Sequence, residues 1–167
     1  AFHPKLWLLK YTGKQDSPDP VYRLMVLSRN ITLDRSWDVA LTIDGIRIDT
    51  PVDGNSKLIG FLRALPGMAV EPSSQNTRKI IDEMCSELEY VKWKLPDGFF
   101  DMRFHAPGTE DSRWLPEQSA SLVVVSPFLA DDALRQLAGT TREPIALVSR
   151  SDEMALIDPE VLSLFRK

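Results

Sequence analysis

The sequence predicts an α/β fold, a mixed β-sheet layered with helices. Strand-like runs in which apolar and polar residues alternate fill the first third of the chain. An apolar stripe at helical spacing follows at 73–89. The last third reads strand–helix–strand with near-continuous apolar strands, a pattern typical of a βαβ unit with a parallel pair. With 167 residues, 43% of them hydrophobic, the chain is long enough to bury a core.

Three strands are expected in the first third. The first is FHPKLWLLKY, and its period of two places on one face the residues His3, Lys5, Trp7 and Leu9. The polar loop TGKQDSPDP leads to the second strand, VYRLMVLS, so these two strands are expected to form a hairpin. WDVALTID is the third strand, and DGIRIDTPVDG is expected to be irregular strand and turn.

Two helices are expected next. NSKLIGFLRAL predicts a short helix that begins at the N-cap candidate Asn55 and ends before Pro66. The longest helix is expected over 73–89, with one apolar stripe made of Ile80, Ile81, Met84, Cys85 and Leu88. The single cysteine lies on this stripe, so we interpret it as a core residue. The tryptophans Trp7, Trp37 and Trp93 are likewise expected in the core.

The remainder of the chain is expected to form a hairpin, a linker and a second layered unit. VKWKL, the turn PDG and FFDMRFHA predict the hairpin, and the polar, proline-containing segment 106–118 predicts the linker. ASLVVVSPFL and EPIALVSR are expected as buried strands that flank a helix ending at Gly139. Two short helices follow in DEMALIDPEVLSLFRK. We therefore expect separate units at 1–105 and 119–167.

The charge is distributed unevenly along the chain. The net charge is −4, which argues against a generic nucleic-acid surface, but residues 1–37 carry six basic and three acidic side chains and are net +3. This basic segment suits an anionic ligand. No apolar run approaches the ~20 residues of a membrane helix. A lone cysteine cannot form an internal disulfide, which fits a reducing, cytoplasmic location.

The basic segment also contains a set of side chains suited to phosphodiester chemistry. A hairpin brings the end of the second strand beside the start of the first, so one pocket can be lined by His3, Lys5, Ser28 and Asn30. An imidazole can attack phosphorus and form a phosphohistidine, while an ammonium and an amide hold the nonbridging oxygens. The sequence shows no carboxylate cluster and no His/Cys set at metal-ligand spacing, so we expect metal-independent chemistry without a cofactor.

The pattern HPKLWLLKY…YRLMVLSRNIT resembles the histidine–lysine–asparagine half-site of the phospholipase D superfamily. In that family His-x-Lys is often followed by Asp five residues after the lysine, and then by Gly-Ser-x-Asn. Lys10 stands here in place of that Asp and Leu27 in place of the glycine. In lacking this Asp, the sequence resembles the tyrosyl-DNA phosphodiesterase branch of the family. The motif covers roughly residues 2–44, with weaker pattern similarity at 119–150.

The resemblance implies roles for these residues. His3 is the nucleophile or general acid, Lys5 and Asn30 hold the phosphate, and Ser28 is a supporting donor. Arg29 and Arg35 are candidate contacts to a polyanion, with solvation of their loop as the alternative. Asp38 either replaces the missing family carboxylate or is a surface residue of the strand.

The family builds its active site from two half-sites, which bears on how this chain is organised. The other histidine, His105, is followed two residues later by Pro107 rather than lysine, so we interpret it as a strand-end histidine. The resemblance then implies that 1–105 is the later part of one phospholipase D-like lobe, that 106–118 is a linker, and that 119–167 opens a second lobe. The chain is expected to be a fragment of a two-lobed protein, inactive or weakly active alone.

The second half-site is expected from the missing part of the chain or from a homodimer partner. The expected function is that of a metal-independent phosphodiesterase or nuclease acting on nucleic acid. Two alternatives stay open: a phospholipid phosphodiesterase, and a non-catalytic lobe that binds polyanions or serves as a scaffold.

Overall fold

A computed structural model describes residues 5–12, 19–29, 39–105 and 115–165. The chain divides into two compact units, Ala1–Ser112 and Arg113–Lys167, which are described separately here. The expectation of an α/β fold is confirmed. The expectation of one mixed sheet is wrong for the described strands, because the first unit contains an antiparallel sheet and the second a parallel one.

Four strands form the sheet of the first unit. In chain order they are β1 (Leu6–Tyr11), β2 (Val21–Leu27), β3 (Ala40–Arg47) and β4 (Val91–Trp93). Each pairs antiparallel with the next, and the register aligns Leu8 with Leu24 and Leu24 with Ile43. The predicted hairpin of the first two strands is therefore confirmed. β3 continues to Arg47, through residues expected to be irregular. Ile46 pairs with both β2 and β4, and Arg47 pairs with β4.

Two helices pack on one face of this sheet, called here the inner face. They are α1 (Ser56–Met68), which follows a 3₁₀ turn at Asp53–Asn55, and α2 (Gln75–Leu88). The core contains residues of both layers: Tyr22, Leu24, Ile43, Leu58, Ile59, Phe61, Leu62, Cys85, Leu88, Val91 and Trp93. Leu6 and Leu8 of β1 pack against it. Even-numbered residues of β1 and β2 thus point to the helices, and odd-numbered residues point to the opposite face, called here the outer face.

The helix boundaries differ from expectation at α1. The helix passes through Pro66 and ends at Met68. Proline removes one backbone donor, and the helix ends two residues later, so the disruption falls near the end of the helix. α2 begins two residues after the expected 73, following Ser74, whose hydroxyl accepts a hydrogen bond from the Thr77 amide at 3.0 Å. Of the residues predicted to form the apolar stripe, only Ile80 is exposed, so the prediction is wrong for that residue alone.

Asn55 occupies the N-cap position of α1, as expected, but its side chain makes no capping hydrogen bond and instead joins three elements in the core. It is almost completely buried, and its side-chain amide donates to the carbonyls of Leu88 and Val91, each at 2.7 Å. Its Oδ1 accepts from Nε1 of Trp93 at 2.8 Å. The start of α1, the end of α2 and β4 are therefore tied together by one side chain whose polar atoms are bonded, as burial requires.

The hairpin expected after β4 is absent, because 94–105 contains no strand. Gly98 turns the chain with a φ of +86°. The Asp101 carboxylate accepts from the amide of Met102 at 2.8 Å and pairs with Arg103. These local bonds compete with ladder pairing. Met102 nevertheless packs against the core of the first unit.

The second unit contains the predicted strand–helix–strand. Its elements are β5 (Ser119–Val125), α3 (Asp131–Gly139), β6 (Thr141–Val148), α4 (Ser151–Met154) and α5 (Pro159–Leu162). β5 and β6 pair in parallel, as expected. The core lies on one side of the pair and contains Leu134, Leu147, Ile157, Val161 and Phe165. The expectation that both strands are buried is wrong, because Val123, Val125 and Val148 are exposed.

Loss of the Asn55 amide is expected to destabilise the first unit. In Asn55→Ala, two buried carbonyls and the Trp93 indole lose their partner, which should lower the free energy of unfolding by about 3 kcal/mol. Denaturant unfolding followed by tryptophan fluorescence measures the change. The matched control is Asn76→Ala on the exposed surface of α2, which should change stability by less than about 0.5 kcal/mol. Equal stabilities of the two variants would contradict the role of Asn55.

Candidate functional site

The candidate half-site lies where the start of β1 adjoins the end of β2. Of the predicted site residues, Lys5, Ser28 and Arg29 are described. His3, Asn30, Arg35, Asp38 and Trp37 lie outside the described residues, so their predicted roles stay predictions.

Lys5 lies next to the end of β2. Its carbonyl oxygen accepts a hydrogen bond from the amide of Leu27 at 2.9 Å, which continues the ladder in which Leu6 opposes Val26. By strand alternation, Lys5 shares the outer face with Trp7. The hairpin thus places the lysine of the motif one residue away from Ser28 across the strand pair.

Ser28 contacts the start of β3. Its amide donates to the carbonyl of Val39 at 2.9 Å, and its hydroxyl accepts from the Val39 amide at 2.9 Å. These two bonds hold together the chain ends that flank 30–38, the segment that contains Asn30. In the described structure Ser28 therefore has a positioning contact, in addition to the supporting role that the sequence suggested.

Lys10 is exposed near the end of β1, and it also has an ionic partner on α2. Its ammonium pairs with one oxygen of the Glu87 carboxylate on α2, while the hydroxyl of Tyr22 donates to the other at 2.9 Å. Burial, together with the adjacent Glu87 carboxylate, raises the pKa of Tyr22 to about 12. Lys10 therefore attaches β1 to α2. It lies about 16 Å along the strand from Lys5, at the ~3.3 Å rise of a β-strand.

The outer face carries aromatic and charged side chains that the sequence assigned differently or did not single out. Trp7, expected in the core, is 45% exposed, and Tyr11 is 47% exposed. The guanidinium of Arg23 lies 5.6 Å from the centre of the Tyr11 ring. It also donates twice to Asp44 across the strands, at 2.7 and 3.0 Å. Extending the period of two from Lys5 through Trp7 to Tyr11 would have identified the aromatic row.

The ion pair on this face is fixed in its charged form. The hydrogen bond from Arg23 holds the pKa of the Asp44 carboxyl below its usual value, and the charge of nearby Lys94 acts in the same direction. Both partners are nearly half exposed, so the pair contributes little to stability. Its effect is geometric, since the two-pronged contact sets the plane of the guanidinium beside the tyrosine.

His105 does not end a strand. It is exposed in the irregular segment that follows β4. Among the described residues, no group of three or more His, Cys, Asp or Glu side chains is arranged to hold a metal ion. No helix in the described part of the chain has the length and apolar character needed to cross a membrane.

Comparison with known proteins gives no relative for this chain: no protein-family model matches it, and neither a curated protein nor a solved structure is significantly similar.

The Tyr22–Glu87 contact predicts a pH dependence of stability. Because the pKa of Tyr22 is raised to about 12 in the folded protein, its contribution is complete below the unfolded value near 10 and is lost as the pH rises toward 12. The free energy of unfolding should be measured between pH 8 and 12 for the wild type and for Tyr22→Phe. The phenylalanine variant should be less stable at pH 8, and the difference should shrink above pH 10.

Tyr90→Phe is the control, because it removes a tyrosine hydroxyl of the same unit that is not part of the contact between Tyr22 and Glu87. A constant difference between the wild type and Tyr22→Phe across the whole range would contradict the contact with Glu87.

Proposed function

We propose that the first unit carries one half-site of a metal-independent phosphodiesterase of the phospholipase D type, and that its substrate is nucleic acid. In this proposal both units belong to a phospholipase D-like fold, and a second half-site comes from further chain or from a homodimer partner. The observation that supports the proposal is the hydrogen bond between Lys5 and Leu27, which places the two segments of the motif side by side.

The proposed chemistry proceeds in two displacements. A ring nitrogen of one histidine attacks phosphorus, the bond from phosphorus to the leaving oxygen breaks, and the histidine of the other half-site protonates that oxygen. Water then attacks the phosphohistidine, loses its proton to the second histidine and releases the first imidazole. His3 supplies one of these two imidazoles. Lys5 and Asn30 stabilise the charge on the nonbridging oxygens.

Nucleic acid is proposed over phospholipid on the basis of charge. The segment 1–37 is net +3 in a chain that is net −4 overall, and Arg29 and Arg35 lie in that segment beside the motif. A polyanion would use such a concentration of positive charge along several phosphates. A phospholipid substrate offers one phosphodiester per molecule and needs an apolar membrane-binding segment, which the sequence does not indicate.

The second candidate function is a non-catalytic lobe that binds polyanions or serves as a scaffold. One observation favours it: the Ser28 hydroxyl accepts from the backbone of Val39, so the serine of the motif already has a structural contact. In a degenerate lobe the same contact would be retained for folding, while the histidine would no longer be needed.

Removal of the motif side chains is expected to abolish turnover of a bis-aryl phosphodiester in the presence of chelator. His3→Ala should remove measurable activity, because no nucleophile or acid replaces the imidazole. Lys5→Ala should lower the rate about 10²- to 10³-fold, through loss of a charge that stabilises the transition state. The wild-type rate is expected to be low, and to rise more steeply than protein concentration if two subunits complete the site.

His105→Ala is the matched control, because it removes the other histidine from an exposed position in the same unit. It should leave the rate unchanged. Activity that survives His3→Ala would contradict the assignment of His3. A complete absence of turnover, with oligonucleotide binding retained, would favour the non-catalytic lobe.

A further inference from the structure

We infer that the outer face of the four-stranded sheet is a binding surface for single-stranded nucleic acid, with Trp7 and Tyr11 as its stacking residues. This surface consists of the outward side chains of the four strands and is called here the sheet platform. The inference goes beyond the proposed catalytic role, because binding to this surface requires neither His3 nor a second half-site.

The aromatic part of the platform lies along β1. Trp7 and Tyr11 are separated by four residues on one strand, so both point to the same face, with Leu9 between them. Each is nearly half exposed, so each ring is accessible as well as anchored to the sheet. β1 is the outermost strand in the order of the sheet, which leaves this row at one margin of the platform. Exposed aromatic rings on a sheet are suited to stacking with unpaired bases.

Arg23 adds a second planar group next to the row. Its guanidinium is held by two hydrogen bonds to Asp44 and lies against the Tyr11 ring. Bases stack on arginine planes as well as on aromatic rings. Because the ion pair fixes this plane before any ligand binds, little side-chain freedom is lost on binding.

The charge of the platform is opposite to that of the whole chain. Among the outward residues of the strands and those that immediately flank them, the cations are Lys5, Arg23, Lys92 and Lys94, and the carboxylate is Asp44. Lys92 and Lys94 are exposed on the margin away from β1. The net charge of +3 on this face contrasts with −4 for the protein, so the platform attracts a polyanion while the remaining surface repels it.

These features distinguish a nucleic acid strand from a second copy of this chain. A two-fold contact between two outer faces would bring equal positive charges together, which disfavours association. A duplex would keep its bases stacked on one another and away from Trp7. An unpaired strand satisfies both parts of the surface, since its bases meet the rings and its phosphates meet the lysines.

Fluorescence anisotropy with a labelled oligothymidine of about 12 nucleotides tests the platform. This length is within the usual range for one single-strand binding site. Trp7→Ala should weaken binding about 5- to 150-fold, the effect of losing one base-stacking contact. Phe100→Ala is the matched control, since Phe100 is a fully exposed aromatic residue outside the strands, and it should bind like the wild type. Equal losses in the two variants, or no loss in Trp7→Ala, would overturn the inference.

The ionic contribution is tested by the salt dependence of the same affinity. Lys92→Ala should reduce the slope of log affinity against log salt by about 1, as expected when one phosphate contact is lost. Lys79→Ala removes the same charge from the helical side, where Lys79 pairs with Glu83, and should leave the slope unchanged. Identical slopes in both variants would place the nucleic acid elsewhere.

Two further ligands complete the test. The duplex of the same length should bind at least tenfold more weakly than the single strand; equal binding of both would overturn stacking as the mode of recognition. Trp7→Ala should bind vesicles with about 30% phosphatidylglycerol as well as the wild type does. A loss of vesicle binding equal to the loss of oligonucleotide binding would assign the platform to a membrane. Phosphodiesterase activity does not enter these measurements. The platform and the proposed half-site can therefore fail separately.

Discussion

The first unit depends on the hydrogen bonds that the buried Asn55 side chain makes in its core. Its side-chain amide donates to the carbonyl of Leu88, the last residue of α2, and to the carbonyl of Val91 in β4. Its side-chain oxygen accepts a hydrogen bond from the Trp93 indole. A buried polar side chain is costly unless its atoms are paired, and here each of these bonds also satisfies a group that would otherwise be buried without a partner. The position of the helices on the sheet is therefore set by a polar contact, whereas the apolar core around it supplies most of the free energy.

Gly45 makes that arrangement sterically possible. It lies in β3 directly opposite Trp93, and a Cβ atom at this position would approach Cγ1 of Val91 to 2.5 Å and the Trp93 ring to 2.8 Å. The absence of a side chain lets the indole lie against the strand and still reach Asn55. A glycine in a strand interior normally weakens the strand, so its presence here marks a close approach. The polar contact and the glycine thus act together.

The sequence predicts the elements of this protein better than their environment. The β1–β2 hairpin, α2 and the parallel strand–helix–strand follow from local periodicity, and all are present. Burial of Trp7 was predicted wrongly because hydrophobicity alone does not tell which face of a strand is covered. The ion pair of Lys10 could not be predicted because its partner Glu87 is 77 residues away. The N-cap position of Asn55 is a local pattern and could be predicted, whereas its side-chain partners Leu88, Val91 and Trp93 come from distant elements.

The two faces of β1 differ in role: the inner face packs into the core, and the outer face is the one for which we propose binding. Leu6 and Leu8 pack into the core and Lys10 pairs with α2, so the inner face fixes the strand in position. The period of two then places Lys5 and Trp7 on the outer face. A shift of the register by one residue would bury the outer set and expose the leucines, which the core strongly disfavours. The inner face therefore determines which side chains the outer face presents.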